Sequence, residues 1–465
     1  MIRYVSTVAA AVVIGVLPAA AQAPEGRGSN PGPYPMHLGA RTNNPAPGER
    51  GSRNMKVLSH VPLGGFLHVS DIEVEQELSR PYAYVNRRFQ PSGVDIINLK
   101  DPSKAYLMYS WRIENAELHQ GSGALGPMYV KTRGRYYLFQ TFQFGADGPN
   151  HDLGAIVFDM TGLPDTSKIR EVRRIRMPDA PGGFHENFAY KHSSGAALVI
   201  TPVSGKPWAA VWDVDKVVAG DPNQGLVARV MNPSATDQSS GRGFHDFYAG
   251  YDPATKQDKL YAAGGGGYYV IDITDLQNPK VLSSVTGVAG MQNGHTFTPD
   301  PTGRYAVIES EYQYAPLRIV DLKPQGDTLA HRVGRPIGAW TADWRNLAHN
   351  HEVRWPYVFV AAYQDGLQVF NMMDPTNPYT VAYYDTFDGP HDKGPGESVF
   401  NGSFGIDVRN ADGLIVTADM TTGFWAFKMD GFDGWNGHQW GMPNQSSAQD
   451  WDNGPDGAPK PARVS

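Results

Sequence analysis

The chain of 465 residues contains no cysteine. That absence removes disulfides, thiolate catalysis, cysteine-ligated zinc and cysteine-held iron–sulfur clusters. It also removes lipid attachment through an N-terminal cysteine. Charge is sparse at 19%, with 40 basic residues against 47 acidic ones, a net of −7. With no basic excess to displace counterions from phosphate, and no basic run of five or more, nucleic acid is not an expected partner. Long apolar runs are missing too. The stretch Val5–Leu17 is too short for a bilayer span. It follows Met1-Ile2-Arg3-Tyr4 and precedes small residues, which predicts a secretory signal peptide over residues 1–21 and an exported, periplasmic or extracellular product.

Recognisable catalytic motifs are equally scarce. Asn401-Gly402-Ser403-Phe404-Gly405 lacks the spacing of a nucleophile elbow. Gly264–Gly267 leads into Tyr268-Tyr269-Val270, a strand and not a helix, so it predicts a tight turn and no phosphate cradle. His351-Glu352 is not followed by a second histidine at zincin spacing. No nucleotide, flavin or iron–sulfur cluster is expected.

What the chain has in abundance is turn formers and rings: 52 Gly, 36 Pro and 11% aromatics. That mixture is too aromatic for disorder and too rich in turn residues for a helical protein, so it points to an all-β fold. A repeat organises it. An apolar strand ending in Asp or Asn closes at Asn98, Asp159, Asp213, Asp272, Asp321 and Asn371, and a seventh copy ends at Lys428. The intervals are 61, 54, 59, 49, 50 and 57 residues. Strand-like runs flank each copy, and four strands per repeat of roughly 50 residues predict a seven-bladed β-propeller with four-stranded blades. The seventh copy lacks an outer strand, while Lys56–Val61 is an unpaired outer-type run. A ring closed by that N-terminal strand in the last blade follows. The predicted organisation is a tail over 22–55, the propeller over 56–430 and an irregular C-terminal tail over 431–465, where Asp450–Gly454 reads as a solvated loop.

The 14 histidines keep time with the repeat. His68, His185, His245, His295 and His349 precede their marker residues by 30, 28, 27, 26 and 22 residues. His119 is 40 ahead of its marker, across an insertion near 145–152, and Asn401 takes the corresponding place in the seventh repeat. The first strand of every blade lines the channel, so these residues predict a ring of imidazoles. Such a ring suits a transition metal, Cu or Fe before Zn. The candidate ligands are His68, His119, His185, His245, His295, His349 and His351. Glu186, Asp246 and Glu352 follow ligand candidates directly. Strand alternation would turn them away from the axis, as partners that orient the imidazoles. The alternative role is structural: imidazole both donates and accepts, and fastens neighbouring blades. His60, His192, His331, His391 and His438 fall outside the phase and are read as surface or turn residues; His37 lies in the N-terminal tail and His151 in the insertion.

Tyr268–Pro279 and Leu367–Pro378, with Ala348-His-Asn-His-Glu-Val353 ahead of the latter, resemble the LVIVD repeat of exported bacterial β-propellers. Phe400–Phe404 through Thr417–Trp425 is similar to the closing blade of the related choice-of-anchor propellers. The resemblance spans about residues 56–430 and implies fold and export, with no catalytic assignment. Nitrous oxide reductase, methanethiol oxidase and the carotenoid-cleaving dioxygenases are propellers holding Cu or Fe with blade histidines, and His245-Asp246-Phe247 resembles a short motif of the last group. Two functions are therefore expected from different classes. One is a metal-dependent oxidoreductase acting on a small organic molecule in the channel. The other is a non-catalytic scaffold binding a protein, peptide or glycan at its rim.

Overall fold

The computed structural model describes residues 50–89, 91–145, 148–235, 243–291, 293–322, 331–389, 399–440 and 450–453. The expected signal peptide, most of the N-terminal tail, His37 and His391 lie outside them, as do the side chains of His331 and His438.

Among the described residues, seven sheets form seven blades. The first strand, β1 (Met55–Val61), precedes blade one: β2 (Val69–Val74), β3 (Tyr82–Arg87), β4 (Gly93–Asn98) and β5 (Tyr106–Arg112). Blade two is β6 (Gly121–Thr132), β7 (Arg135–Phe144), β8 (Leu153–Asp159) and β9 (Arg170–Arg176). Blade three is β10 (Phe188–Lys191), β11 (Ala197–Pro202), β12 (Trp208–Asp213) and β13 (Leu226–Met231), with the short helix α1 (Val214–Ala219) before its last strand. Blade four is β14 (Phe244–Asp252), β15 (Gln257–Gly264), β16 (Gly267–Asp272) and β17 (Lys280–Val285). Blade five opens with β18 (Thr296–Pro299), β19 (Tyr305–Glu309) and β20 (Leu317–Asp321). The chain then lays β21 (His331–Val333) parallel on β17 before β22 (Gly338–Trp340) completes blade five. Blade four thus gains a fifth strand that the four-stranded expectation did not include. Blade six is β23 (His351–Arg354), β24 (Tyr357–Ala361), β25 (Leu367–Asn371) and β26 (Tyr379–Tyr384). Blade seven is β27 (Ser403–Arg409), β28 (Leu414–Asp419) and β29 (Gly423–Met429), and β1 pairs antiparallel on β29 to close the ring.

The marker residues have a common physical role. Asn98 accepts from Lys100 N at 3.0 Å, Asp159 from Thr161 N at 3.0 Å, Asp272 from Thr274 N at 3.0 Å and Asn371 from Met373 N at 2.8 Å. Each side chain closes the turn that ends its strand. Asp213 instead accepts from Lys216 N at 3.2 Å and starts α1. The marker strands are buried on both faces, which is why they read as near-continuous apolar runs. Neighbouring sheets share one core: Phe188, Ile200 and Val211 of blade three pack in one cluster with Tyr248 and Leu260 of blade four and Phe297 of blade five.

Part of the C-terminal segment packs on the propeller although it carries no strand or α-helix among the described residues. Trp451 is buried edge-on against Tyr129 of β6, and Lys131 bonds Asp452, which ties the loop at 450–453 to blade two.

Candidate functional site

The innermost strands do not alternate cleanly where they meet the channel mouth. β14 carries a bulge between Phe244 and Asp246, so His245 is an extra residue in the strand. β27 has the same device around Phe404, β2 between Val69 and Ile72, and β6 between Ala124 and Pro127. In blade six, His349 N donates to Ala361 O while Ala361 N donates to Asn350 O, so two residues again face one. A bulge re-aims side chains, and here it lets consecutive residues both approach the axis.

Four of the expected histidines meet. Ring centroids are 4.3 Å apart for His185–His245, 4.0 Å for His245–His295 and 4.8 Å for His295–His349. They come from blades three to six and form an arc, not a full ring. Beside the arc, Phe404 stacks on His349 at 3.5 Å and clusters with Leu125, Tyr363 and Met420. The pKa values of His185 and His349, lowered by burial, are lowered further by the Arg88 guanidinium, which lies 5.7 Å from the Phe404 ring. The place expected for Asn401 is filled by Phe404; Asn401 instead accepts from Gly402 N and Thr421 Oγ1.

Three expected ligands lie elsewhere. His119 follows a 3-10 turn, stacks on Phe144 at 4.3 Å and contacts Asn150 at 3.1 Å, because the bulged start of β6 brings Leu125 and Gly126, not His119, to the mouth. His68 sits ahead of β2 with its Nδ1 3.5 Å from Arg87. His351 lies deeper on β23 and lines the channel below the arc. Of the histidines out of phase, His60 stacks on Trp425 at 3.9 Å. His192 is a buried turn residue, with Nε2 3.1 Å from Ile273 O.

The groups that orient the arc are not the expected ones. Glu186, Asp246 and Glu352 face the channel cavity instead. Glu186 Oε1 has no partner, Asp246 accepts from Phe247 N at 2.7 Å, and Glu352 pairs with Arg354 at 2.7 Å. The histidines are held from second strands and from the next blade: Glu309 Oε2 lies 2.8 Å from His295 Nδ1, Gln143 Oε1 lies 2.9 Å from His185 Nδ1, and Phe404 O of β27 lies 2.8 Å from His349 Nδ1. Glu311, two residues beyond Glu309, places Oε2 3.5 Å from His295 Nε2 and accepts a hydrogen bond from the Tyr363 hydroxyl. Sequence reading missed Glu309 and Glu311, although they end the second strand of the repeat that begins with His295. Their signal was the antiparallel hairpin, in which Thr296 faces Glu309.

These contacts set the protonation of the arc. Burial lowers His185 to about 3 and pushes His245 and His349 well below the usual imidazole range, so all three are neutral. Burial acts on His295 the same way, but Glu309 and Glu311 outweigh it and raise its pKa to about 9. Neutral imidazoles with one nitrogen held by an acceptor present the other as a donor atom. His245 Nδ1 and His295 Nε2 make no hydrogen bond in this buried setting. One ring nitrogen each of His245 and His295 and a Glu311 carboxylate oxygen lie within 4.8 Å of one another.

Below the arc, burial raises the pKa values of the channel acids. Asp246 reaches about 6, and Asp71 and Glu186 are raised well above the carboxylate range. Glu73 is raised by burial first and then by Asp407, Glu352 and Asp71, with Arg354 opposing, and Tyr129 also faces it. A carboxyl whose pKa is raised on folding contributes stability below the unfolded value of about 4.3, and that stability is lost as pH rises through the folded value. Glu73→Gln keeps the neutral form at every pH. Its gain in melting temperature over the parent is therefore expected to be larger at pH 8 than at pH 5. Equal shifts at the two pH values would contradict this placement of Glu73.

No family model and no curated protein matches the sequence. Among solved structures, the chain is similar to Raptor from Chaetomium thermophilum at 10% identity with a TM-score of 0.54, over 85% of this chain and 30% of that one. It is also similar to the β-propeller domain of Cps50 (Swd1) from Myceliophteria thermophila, at 13% identity with a TM-score of 0.49, over 80% and 98% of the two chains. The fold is a β-propeller. At such identities the likeness to Raptor extends to fold alone, and this chain spans 30% of the Raptor chain's length. Among the described residues no helix is long and apolar enough to cross a membrane.

Proposed function

We propose that this chain is an exported β-propeller of the LVIVD kind that holds a transition metal, iron(II) foremost, at the mouth of its channel and acts on a small organic molecule. The observation that carries the reading is the convergence of His245, His295 and Glu311, with His245 Nδ1 buried without a hydrogen bond and His295 Nε2 buried 3.5 Å from the Glu311 carboxylate. Two imidazoles and one carboxylate are the donor set of non-haem iron(II) sites that keep positions open. Donors bound at about 2.1 Å sit roughly 3 Å apart, so modest side-chain rotation would draw the three together. Iron bound there would supply an open position for dioxygen, which a two-electron, two-proton oxidation of the substrate would reduce to hydrogen peroxide.

The chain's own groups have definite tasks in this reading. Glu309 holds His295 Nδ1–H, and a metal at Nε2 would displace the proton that the raised pKa retains there. Tyr363 anchors Glu311, while Phe404 and Leu125 keep water from one side. His185 and His349 flank the three donors, each with Nδ1 held by an acceptor.

Metal analysis of untagged protein tests the proposal. About one equivalent of iron, taken up on anaerobic incubation with Fe(II) and lost in His245→Ala/His295→Ala, is the expected result. A well-folded protein that stays metal-free after incubation with Fe(II), Cu(II) and Zn(II) would overturn it. The scaffold reading would then gain ground, and it draws on an exposed aromatic patch of Tyr312, Tyr314 and Trp344, the last two in edge contact at 6.0 Å.

A further inference from the structure

Beneath the histidine arc the channel widens into a cavity with about 540 Å³ of empty space, part of it open to solvent. Its wall carries five carboxylic acids, Asp71, Glu73, Glu186, Asp246 and Glu352, and no lysine or arginine. Glycine preserves the space beside them. A Cβ on Gly405 would lie 2.4 Å from Asp71 Oδ1, and one on Gly126 would lie 2.7 Å from Glu186 Oε2. Arg354 pairs with Glu352, but Asp71, Glu73, Glu186 and Asp246 form no ion pair among the described residues and repel one another when ionised, so the arrangement favours a cation between them.

Two side chains independently mark the cavity as a binding site. His351 is 3% exposed, lines the wall, and has no hydrogen-bond partner on either ring nitrogen. Glu186 is 4% exposed and leaves Oε1 unpartnered. Buried polar atoms without partners are rare, and two in one wall point to a missing ligand.

The geometry also selects the kind of cation. Among the described residues, the one cluster of three or more His, Asp or Glu donors within 4.8 Å is His245–His295–Glu311. The cavity acids are spread more widely, so they do not form a ready coordination shell for a bare ion. The same wall carries Ile72, Met128, Phe247 and Ile406. Separated acceptors alternating with apolar surface match an ammonium group, which offers three donors, on an alkyl stem.

We propose that the channel binds a small organic ammonium ion, an alkyl primary amine or diamine, with its nitrogen among Asp71, Glu186 and Asp246. This names the substrate class of the site above and rests on the metal reading for any chemistry. Binding itself needs no metal. Strand rise is about 3.3 Å per residue, so an amine held at Asp246 lies within a few ångströms of His245 and the arc.

Calorimetric titration of metal-free protein with n-butylamine, 1,4-diaminobutane, 1-butanol and calcium chloride tests the inference, with melting temperatures as a second readout. Both amines are expected to bind and raise the melting temperature, and 1-butanol to do neither. Glu186→Gln and Asp246→Asn should each weaken amine binding by about tenfold. Both are isosteric, and circular dichroism verifies their folding. His295→Ala is expected to keep amine binding while losing iron, so failure of the metal reading and failure of this one are separable. Equal binding of 1-butanol, tighter binding of calcium than of either amine, or amine affinity unchanged in both variants would each overturn the inference.

Discussion

A chain beginning at Pro62 is expected to lose the closed ring. Six residue pairs join β1 to β29, and the segment just before β1 stitches the same region to blade six. Arg50 Nε donates to Asp385 O at 3.1 Å, and Asn54 Nδ2 to Val381 O at 3.0 Å. Met55 is buried in the cluster that holds Phe359, Trp425 and Phe427. At about 1 kcal/mol per hydrogen bond, with the apolar burial added, the loss is roughly 5 kcal/mol or more. That is comparable with the whole stability of an ordinary domain. It would also bare β29 as an edge, which is a template for association. A chain beginning at Arg50 is the control. Thermal melts and size-exclusion chromatography should find the shorter chain melting far lower or aggregating, and a peptide spanning residues 50–61 should restore it. A shorter chain that stays monomeric with an unchanged melting temperature would refute the closure argument.

The sequence revealed this architecture because its strongest signals are local. The marker strands are largely apolar since both faces meet neighbouring blades, and Asn98, Asp159, Asp272 and Asn371 each close their own turn, so the repeat is visible without any tertiary information. β1 was legible for a related reason: Lys56–Val61 is an outer-type strand with no partner in its own repeat. β21 was not, because its pairing with β17 joins two repeats and leaves only three residues of pattern.

At the channel mouth, phase and geometry part company. The residues at similar spacing, His185, His245, His295 and His349, meet in the arc, yet His68, at a similar spacing, and His119, at a longer one, stand aside. The difference lies in bulges, which insert one residue at the start of β2, β6, β14 and β27 and change which side chain meets the axis. No composition signal announces a bulge. The same bulges defeat the assumption of alternation, so Glu186, Asp246 and Glu352 became a channel wall and left the orienting role to Glu309 and Gln143. Glu309 comes from the hairpin partner of β18 and Gln143 from the neighbouring blade, and a strand-by-strand reading pairs neither.

Arg354→Met is the second substitution expected to have a large effect, since its side chain is fully buried on β23 amid the channel acids. The guanidinium donates to Glu352 at 2.7 Å, to Asn410 Oδ1 at 2.6 Å and to Val408 O at 3.1 Å, and lies 3.7 Å from Asp407. Methionine fills much of the volume but leaves Glu352 and Asp407 uncompensated beside Glu73 and Asp71. Breaking a buried pair from one side costs about 3–5 kcal/mol, because the remaining charge stays desolvated. The unfolding free energy from denaturant titration should fall by that amount at pH 8 and by less at pH 5, where the acids take up protons. Adding Glu352→Gln to Arg354→Met should recover part of the loss, because the stranded carboxylate is then gone. An Arg354→Met penalty below about 1 kcal/mol, or no recovery in the double variant, would mean that the channel acids are not balanced through this arginine.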